Sequence, residues 1–133
     1  MSQWDPDDDD VVDELPAAPR KSIPAADREL LELAARALGA VRVEDVDGEQ
    51  WLILHFADGT EAHGWNPLLF YSDTFELAVQ LRIKPSWPFT EEAHAEDSYG
   101  NVHIEQRVEV GDLNGATARA VVRAAAEIGR TMG

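Results

Sequence analysis

Histidine and glutamate side chains in the second half of the chain are the residues whose types and spacing could support chemistry. His94 and His103 flank a stretch whose composition favours a turn. If a hairpin turns midway between them, the two imidazoles face each other, with Glu92 and Glu105 as neighbours on the same face. Two imidazoles and two carboxylates could hold a zinc ion and so support a metal-dependent enzyme.

The same four residues also fit an ordinary solvated strand face, which we favour. A shift of the strand register by one residue would place His94 and His103 on opposite faces. The chain has no cysteine, no nucleophile elbow, no phosphate-binding loop and no dinucleotide fingerprint. Its carboxylates are too numerous to single out an acid–base pair. The sequence therefore predicts a protein that is not an enzyme, with no catalytic residues, no cofactor and no bound metal.

Net charge is the most unusual property of the sequence. Its 133 residues include 26 Asp and Glu against 11 Lys and Arg, so the formal net charge is -15 at pH 7. A surface this negative repels phosphate backbones, which disfavours direct nucleic-acid binding and favours partners with positive charge. The simpler alternative is that acidity keeps a small protein in solution.

The sequence also predicts where the protein resides. No apolar run approaches the ~20 residues that cross a bilayer. Residues 1–10 lack the basic and apolar regions of a signal peptide. The absence of cysteine fits a reducing compartment. These features predict a soluble cytoplasmic protein without membrane contact.

Charge and periodicity divide the chain into a tail and a folded region. Residues 1–22 are acidic with few apolar side chains, which predicts a flexible tail. Residues 23–133 are predicted to form a single α+β domain. Helical spacing occurs three times, the second time after a predicted cap at Asp73 and the last after Asp112 or Asn114. The predicted fold is a small antiparallel sheet of about five strands flanked by three helices, a layered α/β/α sandwich.

The register of the first predicted hairpin depends on its turn. Asp47–Gly48 has the composition of a two-residue turn. Such a turn would place Val43 opposite Leu52 and Val41 opposite Leu54. The side chains of these residues would then share one buried face.

The last strand and the middle helix also have predicted core faces. Val102 and Ile104 alternate with His103 and Glu105, which predicts a buried apolar face and a wet polar one. In the middle helix, the predicted buried side chains are those of Leu77, Ala78, Val79 and Leu81.

Aromatic residues around the middle helix are candidates for a protein-binding site. We expect Trp65, Phe70 and Phe89 to pack in the core or at its corners. Tyr71 and Trp87 are expected on the surface. An exposed aromatic patch ringed by acids has the composition of a protein-binding hot spot. The predicted partner-binding residues are Asp7, Asp8, Asp9, Asp10, Tyr71, Trp87, Glu91, Glu92, Glu96 and Asp97.

Four segments together resemble the phage ABA-sandwich family, which comprises small bacteriophage and prophage proteins of unknown function. They are LLELAARALG, WNPL, DTFELAVQLRI and ATARAVVRAAAEIG, in that order between Leu30 and Gly129. The resemblance implies a sandwich of helices on a small sheet and a phage or prophage origin, and it brings no catalytic residues. The acidic extension 1–22 and the LLFY after Pro67 depart from the family pattern.

The negative net charge, the absence of catalytic motifs and the resemblance to phage proteins together favour a non-catalytic, phage-encoded interaction protein. Such a protein would bind and inhibit a host protein by occupying a basic nucleic-acid-binding surface with carboxylates, as an anti-CRISPR inhibitor would. The first alternative is an accessory or structural phage protein that forms a homodimer through a sheet edge or the aromatic patch. The more distant alternative is the metal-dependent enzyme at the histidine hairpin.

Overall fold

The computed structural model of the chain describes residues 23–107 and 112–132. In chain order the elements are α1 (Ala25–Ala37), β1 (Ala40–Asp45), β2 (Leu52–Phe56), β3 (Glu61–Trp65), α2 (Tyr71–Leu81), β4 (Lys84–Ser86), β5 (Glu92–Glu96), β6 (Val102–Gln106) and α3 (Leu113–Thr131). β1, β2 and β3 form one antiparallel sheet, and β4, β5 and β6 form another. The described residues therefore have an α+β fold. It contains two sheets of three strands, where the sequence predicted one sheet of about five.

The order of one helix followed by three strands occurs twice before α3, which packs against both halves. α3 contacts α1, α2, β5 and β6. Its buried side consists mainly of alanines with Val121 and Val122, and such small side chains allow neighbouring elements to approach closely. The approach to α1 is closest at Gly129, where an added Cβ would lie 1.8 Å from the carbonyl oxygen of Leu33.

The first hairpin keeps the predicted faces with a different register. Val43 lies opposite Leu54, and Asp45 lies opposite Leu52, because residues 46–51 form a longer loop than the predicted two-residue turn. This shift of two residues leaves Leu52 and Leu54 on the buried side, since strand side chains alternate with period two. A break in the register between Ala40 and Arg42 turns Val41 outward, so its predicted burial is wrong.

The corner between β3 and α2 is built around the buried side chain of Asn66. Its Nδ2 donates to the carbonyl oxygen of Gln50 at 2.6 Å, while the Asn66 N–H donates to Oδ2 of Asp73 at 3.0 Å. Trp65 is buried beside it, as predicted. α2 begins at Tyr71, so Asp73 lies inside the first turn and is not the predicted N-cap. Its carboxylate instead connects the corner to the helix.

The β5–β6 hairpin differs from the predicted register by one residue. His94 lies opposite Ile104, and Ala95 lies opposite His103. The loop contains three residues, because the N–H of Asp97 donates to the carbonyl oxygen of Asn101 at 2.9 Å. Gly100 supplies the positive φ of 90° that such a loop requires. The two histidines therefore point to opposite faces of the sheet.

The same one-residue difference exchanges the predicted inner and outer faces of β6. Ala93 and Ala95 of β5 are completely buried, and β5 and β6 pack on α3. His103 and Glu105 share this inner face, where the Glu105 carboxylate accepts a hydrogen bond from Arg123 of α3. Val102 and Ile104 are exposed on the outer face, so the prediction that they are buried is wrong.

Among the described residues, no helix is both long enough and apolar enough to cross a membrane.

Candidate interaction surfaces

The two aromatic residues predicted on the surface, Tyr71 and Trp87, line one groove of about 270 Å³ between α2, β4 and α3. Both are exposed, as predicted. Nε1 of Trp87 donates to Oγ1 of Thr117 on α3 at 2.8 Å, which fixes the indole over that helix. We call this the aromatic groove, and its lining includes Tyr71, Phe75, Pro85, Trp87, Thr117 and Val121.

One side of the aromatic groove is an exposed apolar ridge on α2. Tyr71, Phe75 and Val79 are spaced by four residues and therefore lie on one side of the helix. Phe75 is 73% exposed and Val79 is 61% exposed, so the predicted burial of Val79 is wrong. The helix already buries Thr74, Leu77 and Ala78 on its other side, so the fold itself leaves the ridge uncovered. The sequence analysis placed Val79 in the core and Tyr71 on the surface, and it did not recognise the ridge that they form with Phe75.

Arg82 ends α2 beside this ridge, and Lys84 follows two residues later in β4, where it lies opposite Glu96 on the outer face of the second sheet. With Val79 and Ala78 they line a shallow depression that joins the aromatic groove at Ala78. Within the described part of the chain, neither basic side chain makes an ion pair. The sequence analysis did not identify them, because nothing in their spacing distinguishes them from ordinary surface cations.

A second exposed surface, the outer face of β5 and β6, combines apolar and acidic side chains. We call it the acidic face, and its residues are Glu92, His94, Glu96, Val102 and Ile104, with Lys84 of β4 opposite Glu96. Phe89 lies beside it, with its ring centroid 6.3 Å from that of His94. Phe89 is 64% exposed, so its predicted place in the core is wrong. Phe70 is also partly exposed.

The Glu92 carboxylate is held in place on the acidic face. Its Oε1 lies 2.8 Å from Nε2 of His94, and its Oε2 accepts a hydrogen bond from Nε2 of Gln106 at 2.8 Å. The hydrogen bond with His94, followed by that with Gln106, lowers the pKa of Glu92 below its ordinary value. Nearby, the exposed Glu91 lies 3.8 Å from Arg107.

Asp97 has a structural position and does not belong to the acidic face. Only 4% of the residue is exposed, and its carboxylate accepts hydrogen bonds from the N–H groups of Tyr99 and Asn101 at 2.9 and 3.0 Å. Burial acts to raise the pKa of Asp97, but these backbone bonds, the bond from the Asn101 side chain and the nearby His103 imidazole outweigh it and lower the pKa. The buried carboxylate closes the β5–β6 loop and is not available to a partner.

The structure does not bring together the predicted zinc ligands. His94 and Glu92 lie on the outer face of the sheet, while His103 and Glu105 lie on the inner face. Nε2 of His103 is 3.5 Å from Oδ2 of Asp97. Within residues 23–107 and 112–132, no group of three or more His, Asp and Glu side chains could hold a metal ion.

Apart from the buried Asp97, the predicted binding residues fall into three places. Tyr71 and Trp87 belong to the aromatic groove, whose Trp87 faces α3. Glu92 and Glu96 lie on the opposite face of the second sheet, with Glu91 next to them in the chain. The aromatic patch ringed by acids is thus divided between two surfaces. The remaining predicted residues, Asp7, Asp8, Asp9 and Asp10, lie outside the described residues.

Comparison of the chain with family models, with curated proteins and with solved structures finds no match. Function is therefore inferred from the two surfaces.

Proposed function

We propose that this is a non-catalytic interaction protein whose acidic face binds a positively charged surface of another protein. The observation that carries the proposal is the composition of that face. Val102 and Ile104 are about half exposed at its centre, and the carboxylates of Glu92 and Glu96 lie among them. Apolar side chains at the centre of a surface supply binding energy, and charges beside them select the sign of the partner.

The distribution of ion pairs supports a positively charged partner. Six arginines lie within 4.0 Å of a carboxylate in the described chain: Arg28, Arg42, Arg107, Arg119, Arg123 and Arg130. These pairs use up most of the positive charge in the described residues, so the excess carboxylates determine the field that an approaching molecule meets. Two of them, Asp47 and Glu49, are exposed in the loop between β1 and β2.

Carboxylates on a compact protein can occupy a site that normally receives phosphates. The partner would then be a nucleic-acid-binding protein, and binding would inhibit it. Inhibition of a CRISPR complex by a phage protein is one form of this activity, and the resemblance to phage proteins is what suggests it. A homodimer through the acidic face is less favourable, because two copies would bring Glu92 and Glu96 against the same charges.

The proposal is tested by affinity capture from the host with tagged full-length protein and two double variants. Glu96→Lys with Ile104→Ser changes the acidic face, and Glu29→Lys with Val41→Ser makes the same changes at exposed positions elsewhere. We expect the first variant to lose a captured protein that the second retains. The captured protein should release its nucleic acid when this protein is added, and its capture should weaken as salt is raised. Equal loss with both variants, or capture that salt does not affect, would contradict the proposal.

A further inference from the structure

The aromatic groove has a chemistry opposite to that of the acidic face. Its ridge of Tyr71, Phe75 and Val79 is apolar, and Arg82, which makes no ion pair among the described residues, stands at one end. A ligand that suits both features carries large apolar side chains among acidic ones, because the apolar groups cover the ridge and an acid neutralises the cation.

The left-handed backbone conformation of Arg82 supports a role for its side chain. The residue ends α2 with φ of 58° and ψ of 42°, the left-handed conformation. The N–H of Ile83 donates to the carbonyl oxygen of Ala78 at 2.9 Å, which completes a Schellman motif. Glycine is the usual residue at this position because other residues are strained there. An arginine without a partner among the described residues is therefore retained at a conformational cost.

The segment 1–22 enters the described fold close to the aromatic groove. Ile23 lines a cavity together with Leu69 and Gly115. Their near neighbours in the chain, Tyr71 and Asn114, line the aromatic groove. Twenty-two residues could extend up to roughly 70 Å, so the preceding segment is long enough to lie along the whole ridge.

The composition of this segment matches the groove. It contains seven carboxylates against two basic residues, Arg20 and Lys21, and its large apolar residues are Trp4, Val11, Val12 and Leu15. We propose that residues 1–22 dock into the aromatic groove of their own chain, with their apolar side chains against the ridge and their carboxylates near Arg82. Attachment to the same chain gives the segment a high effective concentration at the groove. This docking does not depend on the acidic face or on its partner.

Paramagnetic relaxation measured by NMR on the full chain tests the docking directly. Because the protein has no cysteine, Gln3→Cys provides a single position for a spin label. This position lies beside Trp4 and 20 residues before Ile23, so its approach to the groove is not imposed by the chain entry. We expect the amide signals of Thr74–Val79 and Thr117 to lose most of their intensity. Signals of the β2–β3 turn, residues 57–60, should keep theirs.

Matched variants separate docking from unfolding. Phe75→Ser and Arg82→Gln should each restore the groove signals, whereas the matched changes Val41→Ser and Arg36→Gln should not. Arg82→Gly should also restore signal while raising the unfolding midpoint, since glycine relieves the left-handed position. Unchanged groove signals, or equal loss over the whole surface, would overturn the proposal. Signal loss in a mixture of spin-labelled protein and unlabelled ¹⁵N protein would assign the groove to a second copy and would also overturn it.

Discussion

Asp58 and Asp97 accept hydrogen bonds in similar local turns, but Asp58 is exposed and Asp97 is buried. Asp58 accepts hydrogen bonds from the N–H and Oγ1 of Thr60, and Asp97 accepts them from the N–H groups of Tyr99 and Asn101. Asp58 is exposed, so its hydrogen bonds compete with water, whereas the carboxylate of Asp97 is almost completely buried. We therefore expect the contribution of each carboxylate to the free energy of unfolding to depend on its burial.

Replacing the two carboxylates should give unequal losses of stability. We expect Asp97→Ala to lower the free energy of unfolding by about 2–3 kcal/mol, since it removes the hydrogen bonds of a charged carboxylate that is shielded from water. Asp58→Ala should cost less than about 1 kcal/mol, because exposed turn bonds are exchanged with water. Urea unfolding of both variants measures the difference. Equal losses would show that the burial of Asp97 contributes nothing.

The sequence Glu-Ala-His occurs in β3 and again in β5, and its two carboxylates should respond to pH in the same way. Nε2 of His63 lies 2.8 Å from Oε1 of Glu61, as His94 does from Glu92. In each case the hydrogen bond with histidine is the main cause of a lowered pKa. A lowered folded pKa gives stability that is present above the unfolded pKa of ~4.3. That stability is lost as pH falls through the folded pKa.

A single substitution tests this pairing against an internal control. His63→Gln should raise the pKa of Glu61 towards its ordinary value and leave that of Glu92 unchanged. Carboxylate ¹³C chemical shifts followed through a pH titration give both values in one experiment. An unchanged pKa of Glu61 would mean that the histidine does not stabilise its charge.

At the scale of single residues, the sequence predicted the exposure of some side chains correctly and that of others wrongly. The exposed positions of Tyr71 and Trp87 and the burial of Trp65 are confirmed. Asp97 was grouped with surface acids, because no sequence pattern reveals that a loop will fold back over one carboxylate. Phe89 was placed in the core on its residue type alone, although it follows a short edge strand.

Among the elements, β6 shows that the alternation of apolar and polar residues predicts which side chains share a face. It does not predict which of the two faces points to the core. Periodicity correctly separated Val102 and Ile104 from His103 and Glu105, but it assigned the apolar pair to the core. The elements that pack against β6 determine which of its faces points to the core. The buried alanines of β5 leave room for α3, and Arg123 on that helix provides a partner for the Glu105 carboxylate. Neither contact can be read from β6 itself.

Close packing of α3 on α1 makes a prediction at the scale of elements. Gly129→Ala should destabilise the protein by about 1–3 kcal/mol, because a methyl group placed 1.8 Å from the Leu33 carbonyl oxygen forces the helices apart. Without that contact, the same change would stabilise a helix by up to about 1 kcal/mol. The sign of the stability change in Gly129→Ala, measured by thermal unfolding, therefore shows whether the close contact with α1 exists. Arg130→Ala, at the next and exposed position, should change stability by less than about 0.5 kcal/mol.

The whole molecule repeats its order of elements, and this organisation was only partly predictable. Three helices and the antiparallel pairing of strands followed from periodicity and turns. The division into two sheets did not, since it depends on β3 pairing with β2 and on the short β4 pairing with β5. β4 has three residues, including Pro85, and leaves too short a pattern for sequence analysis to detect.

Net charge leads to a prediction for the molecule as a whole. With a charge of -15, long-range repulsion among carboxylates opposes the compact state. Raising ionic strength from 0.01 to 0.15 M shortens the screening length from about 30 to about 8 Å. This weakens distant repulsion more than contact pairs such as Arg28–Asp45 at 2.8 Å. We therefore expect the free energy of unfolding to rise by roughly 1 kcal/mol over this range, the scale on which exposed charges act.

Urea unfolding at a series of KCl concentrations measures this rise, and a variant with less charge serves as the control. Asp47→Asn with Glu49→Gln removes two exposed carboxylates that make no ion pair in the described chain. The variant should therefore be more stable at low salt and gain less from added KCl. Binding to a positively charged partner should change in the opposite direction, because the same screening weakens attraction between the two proteins. A stability that falls with salt would instead mean that the ion pairs outweigh the excess of negative charge.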